Sequence, residues 1–127
     1  MRPWQTETLP NIELVVTSAT PLLNPYLRLH WAKRRKLGQF WDWSIKQALG
    51  RCKAPGLTKC NILIERYESG RAPDIDNLTG GVKCAIDSLV KCGVIVDDNP
   101  QVIQSLKVIA KKCKRGEGKT VIKVEGL

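Results

Sequence analysis

Two acidic turns separated by an amphipathic segment, residues 73–100, constrain this chain more than any other feature. Asp74 and Asp76 stand two residues apart, so their side chains project to the same side of an extended backbone. Apolar residues then recur at spacings of three and four, at Leu78, Val82, Ile86 and Leu89. This period predicts one amphipathic helix over residues 78–91 that buries a single stripe.

The ends of this helix are predicted by the residues that flank it. Asn77 can cap the first turn through its side-chain oxygen, and Gly93 is well placed to end the helix in a left-handed conformation. Residues 94–96 then predict a short strand, which returns the chain to a second pair of carboxylates, Asp97 and Asp98.

Three of these carboxylates converge if the helix folds back beside the acidic loop, namely Asp74, Asp76 and Asp98. Like charges repel at short range, so such a cluster favours a bound cation, and hard oxygen ligands suit Mg²⁺ or Mn²⁺. A metal held in this way supports phosphoryl transfer, because it offsets developing charge and activates water. Lys83 follows Asp76 by seven residues, which places it on the same helical side, where its ammonium group can stabilise the reacting phosphate.

Two further aspartates have alternative roles. Asp87 lies four residues after Lys83, so it either pairs with that lysine or accepts a bond from a neighbouring subunit. Asp97 either binds metal or caps the turn, and Asp98 is the favoured ligand. A calcium-binding loop is excluded, because the twelfth position counted from Asp74 is Ala85, where glutamate is needed.

The pattern of these residues resembles the RusA family of Holliday junction resolvases, the crossover junction endodeoxyribonucleases. The resemblance is strongest over residues 73–102 and is carried by Asp74-Ile75-Asp76-Asn77-Leu78, Lys83, Asp87-Ser88-Leu89, Gly93 and Asp97-Asp98. It continues more loosely at Asn24-Pro25, His30, the basic run after it and the C-terminal hairpin.

Members of this family are small homodimeric, Mg²⁺-dependent endonucleases that cut four-way DNA junctions symmetrically. The resemblance implies that Asp74, Asp76 and Asp98 are the metal-binding aspartates and that Lys83 is the essential lysine. In the family, fewer residues separate Asp-Asn-Leu from this lysine. In this chain, residues 79–82 stand between Leu78 and Lys83. Either the loop is longer in this chain, or Lys83 is not the equivalent residue.

The composition favours a polyanionic partner. The chain has 21 Lys and Arg against 12 Asp and Glu, a net charge of +9. Acidic residues gather at the motif while basic residues spread elsewhere, which suits a nuclease whose surroundings must attract phosphates. Candidate DNA contacts form a basic run after His30 and two later sites: Lys33, Arg34, Arg35, Lys36, Arg71, Lys114 and Arg115.

Trp31 stands beside the basic run and can stack on an unpaired base. The alternative is an exposed basic turn whose tryptophans pack in the core. Trp41 belongs to a helical stripe over residues 37–49 and is predicted to lie in the core rather than to bind a ligand.

The length of 127 residues fits one domain, a RusA-like endonuclease domain over 1–127 in which residues 1–10 form a loose arm. No long apolar run or signal-peptide pattern occurs, so we expect no membrane contact and a cytoplasmic protein. The odd number of cysteines, 5, and their spacing argue against disulfides and zinc and favour buried free thiols.

The remaining segments predict an α+β (α/β-like) fold. Strands are expected over residues 12–16, 61–67, 106–108 and 121–124, and the last two form a hairpin around a basic, glycine-containing turn. Together with the helices over 37–49 and 78–91, this gives the order β-α-β-α-β-β and a mixed β-sheet covered by two helices.

These features predict a Mg²⁺-dependent endodeoxyribonuclease that resolves Holliday junctions by symmetric paired nicks, leaving 5′-phosphate ends, in DNA recombination and repair. Two alternatives are a non-catalytic protein that binds DNA structures and a nuclease for other branched DNA, such as flaps. A homodimer suits a junction of near-twofold symmetry. Its interface is expected at the helix of residues 78–91, because Gly80 and Gly81 allow another backbone to approach closely.

Overall fold

The computed structural model describes residues 11–127. Four strands and four helices follow one another in this range: β1 (Asn11–Val16), α1 (Leu23–Leu27), α2 (Trp31–Leu49), β2 (Cys60–Glu68), α3 (Ile75–Gly80), α4 (Lys83–Lys91), β3 (Ile103–Lys112) and β4 (Lys119–Gly126). The predicted order β-α-β-α-β-β is found, with two helices at each helix position. The loose arm predicted for residues 1–10 lies outside the described residues.

The strands form one mixed sheet in the order β1-β4-β2-β3. β2 pairs parallel with β3 and antiparallel with β4, and β4 pairs antiparallel with β1. The predicted mixed sheet of an α+β fold is therefore confirmed. The predicted hairpin between the last two strands is wrong, because β2 lies between β3 and β4.

The core lies between the sheet and the helices α2 and α4. Trp41 and Ile45 of α2 and Leu89 of α4 are completely buried, with 0% of each exposed. They belong to one cluster with the inward residues of the strands, which include Ile62 and Ile64 of β2. The core position predicted for Trp41 is confirmed, and Ile62 and Ile64 lie on the inward face of β2.

The helix α2 begins earlier than the predicted residue 37. His30 is its N-cap residue, and His30 Nδ1 accepts a hydrogen bond from the Ala32 backbone N–H at 3.3 Å. The basic run therefore occupies the first turns of a helix rather than a separate basic turn. Asn24 and Pro25 are part of α1, and Pro25 is accommodated in the first helical turn.

The single helix predicted over residues 78–91 is wrong, because α3 ends at Gly80 and α4 begins at Lys83. A Cβ atom added to Gly81 would lie 1.8 Å from the Pro21 carbonyl oxygen, and one added to Gly80 would lie 2.7 Å from Leu23 Cδ2. The segment before α2 thus passes directly over the junction of the two helices. The close approach expected from a second subunit at Gly80 and Gly81 is made by the same chain.

The short strand predicted over residues 94–96 is also absent from the sheet. Ile95 forms only an isolated parallel bridge with Leu57. Gly93 does adopt the predicted left-handed conformation, with φ of 79°, and its N–H donates to the Val90 carbonyl at 3.0 Å. The chain therefore turns at Gly93 and reaches the second acidic turn without pairing as a strand.

All five cysteines, which lie within the described range, are free thiols. Cys60 and Cys84 are buried as predicted, and burial raises the pKa of the Cys84 thiol to about 12, whereas Cys52 is exposed. In the range 11–127, no helix is both long enough and apolar enough to cross a membrane.

The face of β2 opposite Ile62 and Ile64 carries a buried carboxylate. Glu65 is only 4% exposed, and it forms ion pairs with Lys111 of β3 and with Lys123 of β4, the latter at 3.1 Å. Hydrogen bonding to Lys111 lowers the pKa of Glu65, against the effect of burial. Three neighbouring strands are thus joined by one carboxylate.

We expect Gly81→Ala to destabilise the fold by about 3 kcal/mol, because the new methyl group meets backbone rather than a flexible side chain. Urea denaturation followed by circular dichroism measures this loss. Gly38→Ala is the matched control, since nothing lies within 4 Å of its added Cβ and alanine favours a helix interior by about 1 kcal/mol. Equal stability of the two variants would contradict the packing at Gly81.

We expect Glu65→Gln to lower the melting temperature by a few degrees at pH 7, and by much less at pH 3. The carboxylate has a pKa below its ordinary value of 4.5, so its ionised form stabilises the fold above that pH. The contribution is lost as the pH falls through the folded-state pKa. Exposed Glu13 is the control, and thermal melts of Glu13→Gln should match the unmodified protein at both pH values.

Candidate functional site

The acidic loop continues directly into α3. Asp74 is the N-cap residue, but its side chain makes no capping hydrogen bond, and Asp76 Oδ1 accepts from the Asn77 backbone N–H at 2.9 Å. Both aspartates are exposed. Asn77 lies inside α3 rather than at its cap as predicted, and its Oδ1 accepts from the Asn24 N–H at 2.8 Å. This bond ties the acidic helix to α1.

The two aspartates of the second acidic turn differ in their hydrogen bonds. Asp97 Oδ1 accepts from the Asp98 N–H at 2.7 Å, and its Oδ2 accepts from Asn99 Nδ2 at 3.1 Å. The carboxylate of Asp98 accepts no hydrogen bond from any residue in the range 11–127. Asp97 therefore holds the turn, the second of the alternatives drawn from the sequence, and the carboxylate of Asp98 is available to a ligand.

A groove of about 370 Å³ lies between the end of α3, the start of α4 and the second acidic turn. Three predicted site residues share its walls, Lys83, Asp87 and Asp98. Lys83 Nζ lies 3.7 Å from Asp87 Oδ1, which confirms the predicted pairing, and the side chains are 66% and 43% exposed. Exposed pairs of this kind contribute about 1 kcal/mol or less, so Lys83 can readily turn to another anion.

Asp76 does not line this groove, but it lies on the same short helix, α3, as two residues that do. Thr79 and Gly80, which line the groove, follow Asp76 by three and four residues and share its helical face. The helical alignment predicted between Asp76 and Lys83 is wrong, because the break between α3 and α4 separates them. Residues 81 and 82 form this break. They belong to the segment 79–82 that separates Asp-Asn-Leu from Lys83 in this chain.

The three predicted metal ligands are exposed and do not form a cluster in the described part of the chain. Asp74, Asp76 and Asp98 offer exposed carboxylate oxygens, which are the donors that Mg²⁺ prefers. Within residues 11–127, however, no three His, Cys, Asp or Glu side chains are grouped so that they could hold a metal ion. The donor chemistry fits Mg²⁺, and the convergence of the three aspartates stays a prediction.

The predicted DNA-contacting residues are exposed and form no ion pairs among residues 11–127. The ion pairs formed within residues 11–127 use other lysines, so none of the following side chains forms an ion pair in this range: Lys33, Arg34, Arg35, Lys36, Arg71, Lys114 and Arg115. Because β2 and β3 are parallel, their carboxyl ends lie at one edge of the sheet. The loops that carry Arg71 and Lys114 leave from that same edge.

The tryptophans of α2 divide between core and surface. Trp41 is completely buried, whereas Trp31 is 64% exposed and Trp43 is 60% exposed. Packing in the core, the alternative for the tryptophans near the basic run, therefore holds for Trp41 and fails for Trp31. An exposed indole remains beside the basic residues of α2.

Sequence reasoning missed two polar clusters that position the site. Asp42 of α2 accepts from Ser88 Oγ of α4 at 2.6 Å and lies 3.4 Å from Lys91 Nζ, which fixes the register of the two helices. Glu65 joins three strands as described above. Neither has a local signal, because the partners stand about 50 residues apart in the chain, as is usual for tertiary contacts.

A scan against models of protein families finds no match to this chain, and a comparison with curated proteins finds none either. Its function is accordingly inferred from its own residues.

Proposed function

We propose that this protein is a metal-dependent endodeoxyribonuclease that acts on branched DNA, with four-way junctions as the preferred substrate. One observation supports this most. The groove that gathers Lys83, Asp87 and Asp98 is bounded by α3, the helix whose first turn carries Asp74 and Asp76. Three of the residues through which the chain resembles the RusA family, Lys83, Asp87 and Asp98, thus line one groove.

The charge distribution supports a nucleic acid as the substrate. The exposed carboxylates near the groove repel phosphates, so a nuclease needs cations elsewhere to hold its substrate. The basic run of α2 supplies four cations without acidic partners in the range 11–127, and the loops with Arg71 and Lys114 supply more. A net charge of +9 adds long-range attraction for the phosphate backbone.

Asp74, Asp76 and Asp98 are the residues that would hold a divalent cation. Their side chains are exposed, so a cation can draw them together by offsetting their mutual repulsion. When bound, such an ion supplies a charge that stabilises the phosphate under attack and activates water. Mn²⁺ is expected to replace Mg²⁺, because both take carboxylate oxygens.

Lys83 acts on the phosphate itself in this proposal. Its exposed pair with Asp87 is weak, so a phosphate oxygen can replace the carboxylate as its partner. The ammonium group then neutralises charge that develops as water attacks the phosphodiester in line and the 3′-oxygen leaves. The products carry 5′-phosphate and 3′-hydroxyl ends.

A homodimer completes the proposal. A four-way junction has near-twofold symmetry, so two identical subunits related by a twofold axis can each nick one of two like strands. Gly80 and Gly81 are occupied by residues 21–23 of the same chain, so the interface must use another surface. The enzyme would act in the cytoplasm, in DNA recombination and repair.

We expect Mg²⁺-dependent nicking of a labelled four-way junction, while linear duplex of the same sequence is largely spared. Gel analysis of junction, flap and linear DNA, each with Mg²⁺ or EDTA, measures this directly. Preferential cutting of flaps would reassign the substrate within branched DNA. Equal cutting of linear duplex would refute the preference for branches, and binding without cutting would refute the enzyme.

The same assay with Asp76→Asn separates a metal ligand from a structural residue. We expect cutting to be abolished, while junction binding in EDTA is at least as tight as in the unmodified protein. Removing one like charge near the phosphate relieves repulsion on the order of 1 kcal/mol at 4 Å in water. Glu13→Gln is the charge-matched control and should leave both readouts unchanged. Loss of binding and stability together would contradict the assignment.

We expect DNA binding to weaken steeply with salt. If roughly six phosphates are contacted, a double-logarithmic plot of affinity against salt has a slope near −5. The combined substitutions Lys33→Gln, Arg34→Gln, Arg35→Gln and Lys36→Gln should flatten this slope. The control removes the same number of exposed cations beyond this helix start: Lys46, Arg51, Lys53 and Lys59. Equal slopes for both variants would move the DNA path away from α2.

A further inference from the structure

A second groove lies beside the groove lined by Lys83, Asp87 and Asp98, which we call the acidic groove. It has a volume of about 570 Å³ and is bounded by α1, α2 and α4, within the roughly 300–1,000 Å³ of typical ligand sites. Asp87 lies in the walls of both grooves. The two grooves thus meet at Asp87, on adjacent faces of α4.

An exposed indole forms part of the wall of this second groove. Trp31 is the first residue of α2 and lines the groove. Its ring centroid lies 5.4 Å from that of His30, with 39° between the planes. His30 is itself fixed by the hydrogen bond to Ala32 that caps the helix. A flat aromatic surface, 64% exposed, is therefore presented at the wall of the groove.

The acidic and basic side chains of the groove differ in whether they have partners of opposite charge. Of its carboxylates, Asp42 is held by Ser88 and Lys91, whereas Asp87 forms only the exposed, weak pair with Lys83. Arg34 and Arg35 also line the groove, and neither has an acidic partner among residues 11–127. The groove thus combines an exposed aromatic surface with two uncompensated guanidinium groups.

We propose that the second groove binds one unpaired nucleotide, with its base stacked on Trp31 and its phosphate held by Arg34 and Arg35. Aromatic stacking and guanidinium groups together recognise single-stranded nucleic acid. A base within a continuous duplex is covered by its neighbours and cannot offer its face to the indole. The groove therefore discriminates branched or open DNA from intact duplex, and Trp31 is its specificity-determining residue.

This inference rests on the proposed function, because it assumes that the bound strand continues over α4 into the acidic groove. Trp31 and the groove lie apart from Asp74, Asp76 and Asp98, however. Stacking at Trp31 can thus be tested separately from metal-dependent cleavage.

The test measures binding of a single-stranded oligonucleotide that carries 2-aminopurine, and of a duplex of the same sequence. Fluorescence of 2-aminopurine reports stacking, and anisotropy of an end label reports affinity. We expect Trp31→Ala to weaken single-strand binding about tenfold and to reduce the 2-aminopurine quenching, since stacking contributes roughly 1–3 kcal/mol per base. Duplex affinity should change less than about twofold, because phosphate contacts dominate it.

Two further variants separate stacking from general damage. Trp31→Phe should restore most of the single-strand affinity, because a phenyl ring still offers a flat face. Trp43→Ala is the matched control, since Trp43 is equally exposed on α2 and does not line this groove. It should bind like the unmodified protein.

Three outcomes would overturn the inference. Equal effects of the substitutions at Trp31 and Trp43 would remove the special role of the groove. Equal losses for single strand and duplex would indicate a role other than stacking. Unchanged DNA binding by Trp31→Ala would show that the indole does not contact DNA, and a protein partner would then be the alternative ligand. If the unmodified protein still cuts junctions in any of these cases, only the proposal of a nucleotide-binding groove is refuted. If the unmodified protein does not cut junctions, the proposed function itself is refuted.

Discussion

Parallel pairing of β2 with β3 is the constraint on which the rest of this structure depends. Neighbouring parallel strands cannot be joined by a tight turn, so the chain must cross one face of the sheet between them. The crossover, residues 69–102, carries α3, α4 and both acidic turns. The candidate site is therefore a consequence of topology, because the connection that makes the parallel pair possible is also the one that holds the aspartates.

The segments with a local repeat were predictable from sequence. The helical spacing of Trp41 and Ile45 and the alternation of Ile62 and Ile64 each depend only on which side of one element is buried, and both are found. The partner of a strand has no such signal. The last two strands look the same in sequence whether they pair with each other or lie on either side of β2, so the expected hairpin was wrong.

The candidate site was predictable in its residues and less so in its geometry. Asp97 and Asp98 are indistinguishable by sequence pattern, and only the hydrogen bonds of the turn separate a structural carboxylate from an available one. The apolar period from Leu78 to Leu89 runs unbroken through Gly81. The break there results from contact with Pro21, which lies far away in the sequence and leaves no local trace.

The segment before α2 connects the basic surface to the acidic groove through short-range contacts. Thr20 is completely buried; its N–H donates to Thr120 Oγ1 at 3.0 Å, and its carbonyl accepts from Arg66 Nε at 2.7 Å. A few residues later, the Asn24 N–H donates to Asn77 of α3. Contacts of this kind are little affected by salt, whereas attraction between exposed charges is screened beyond about 10 Å at 0.1 M. The segment that leads into the basic helix is thus held to the sheet and to α3 by contacts that salt affects little, whereas the attraction between exposed charges that brings in the substrate is screened.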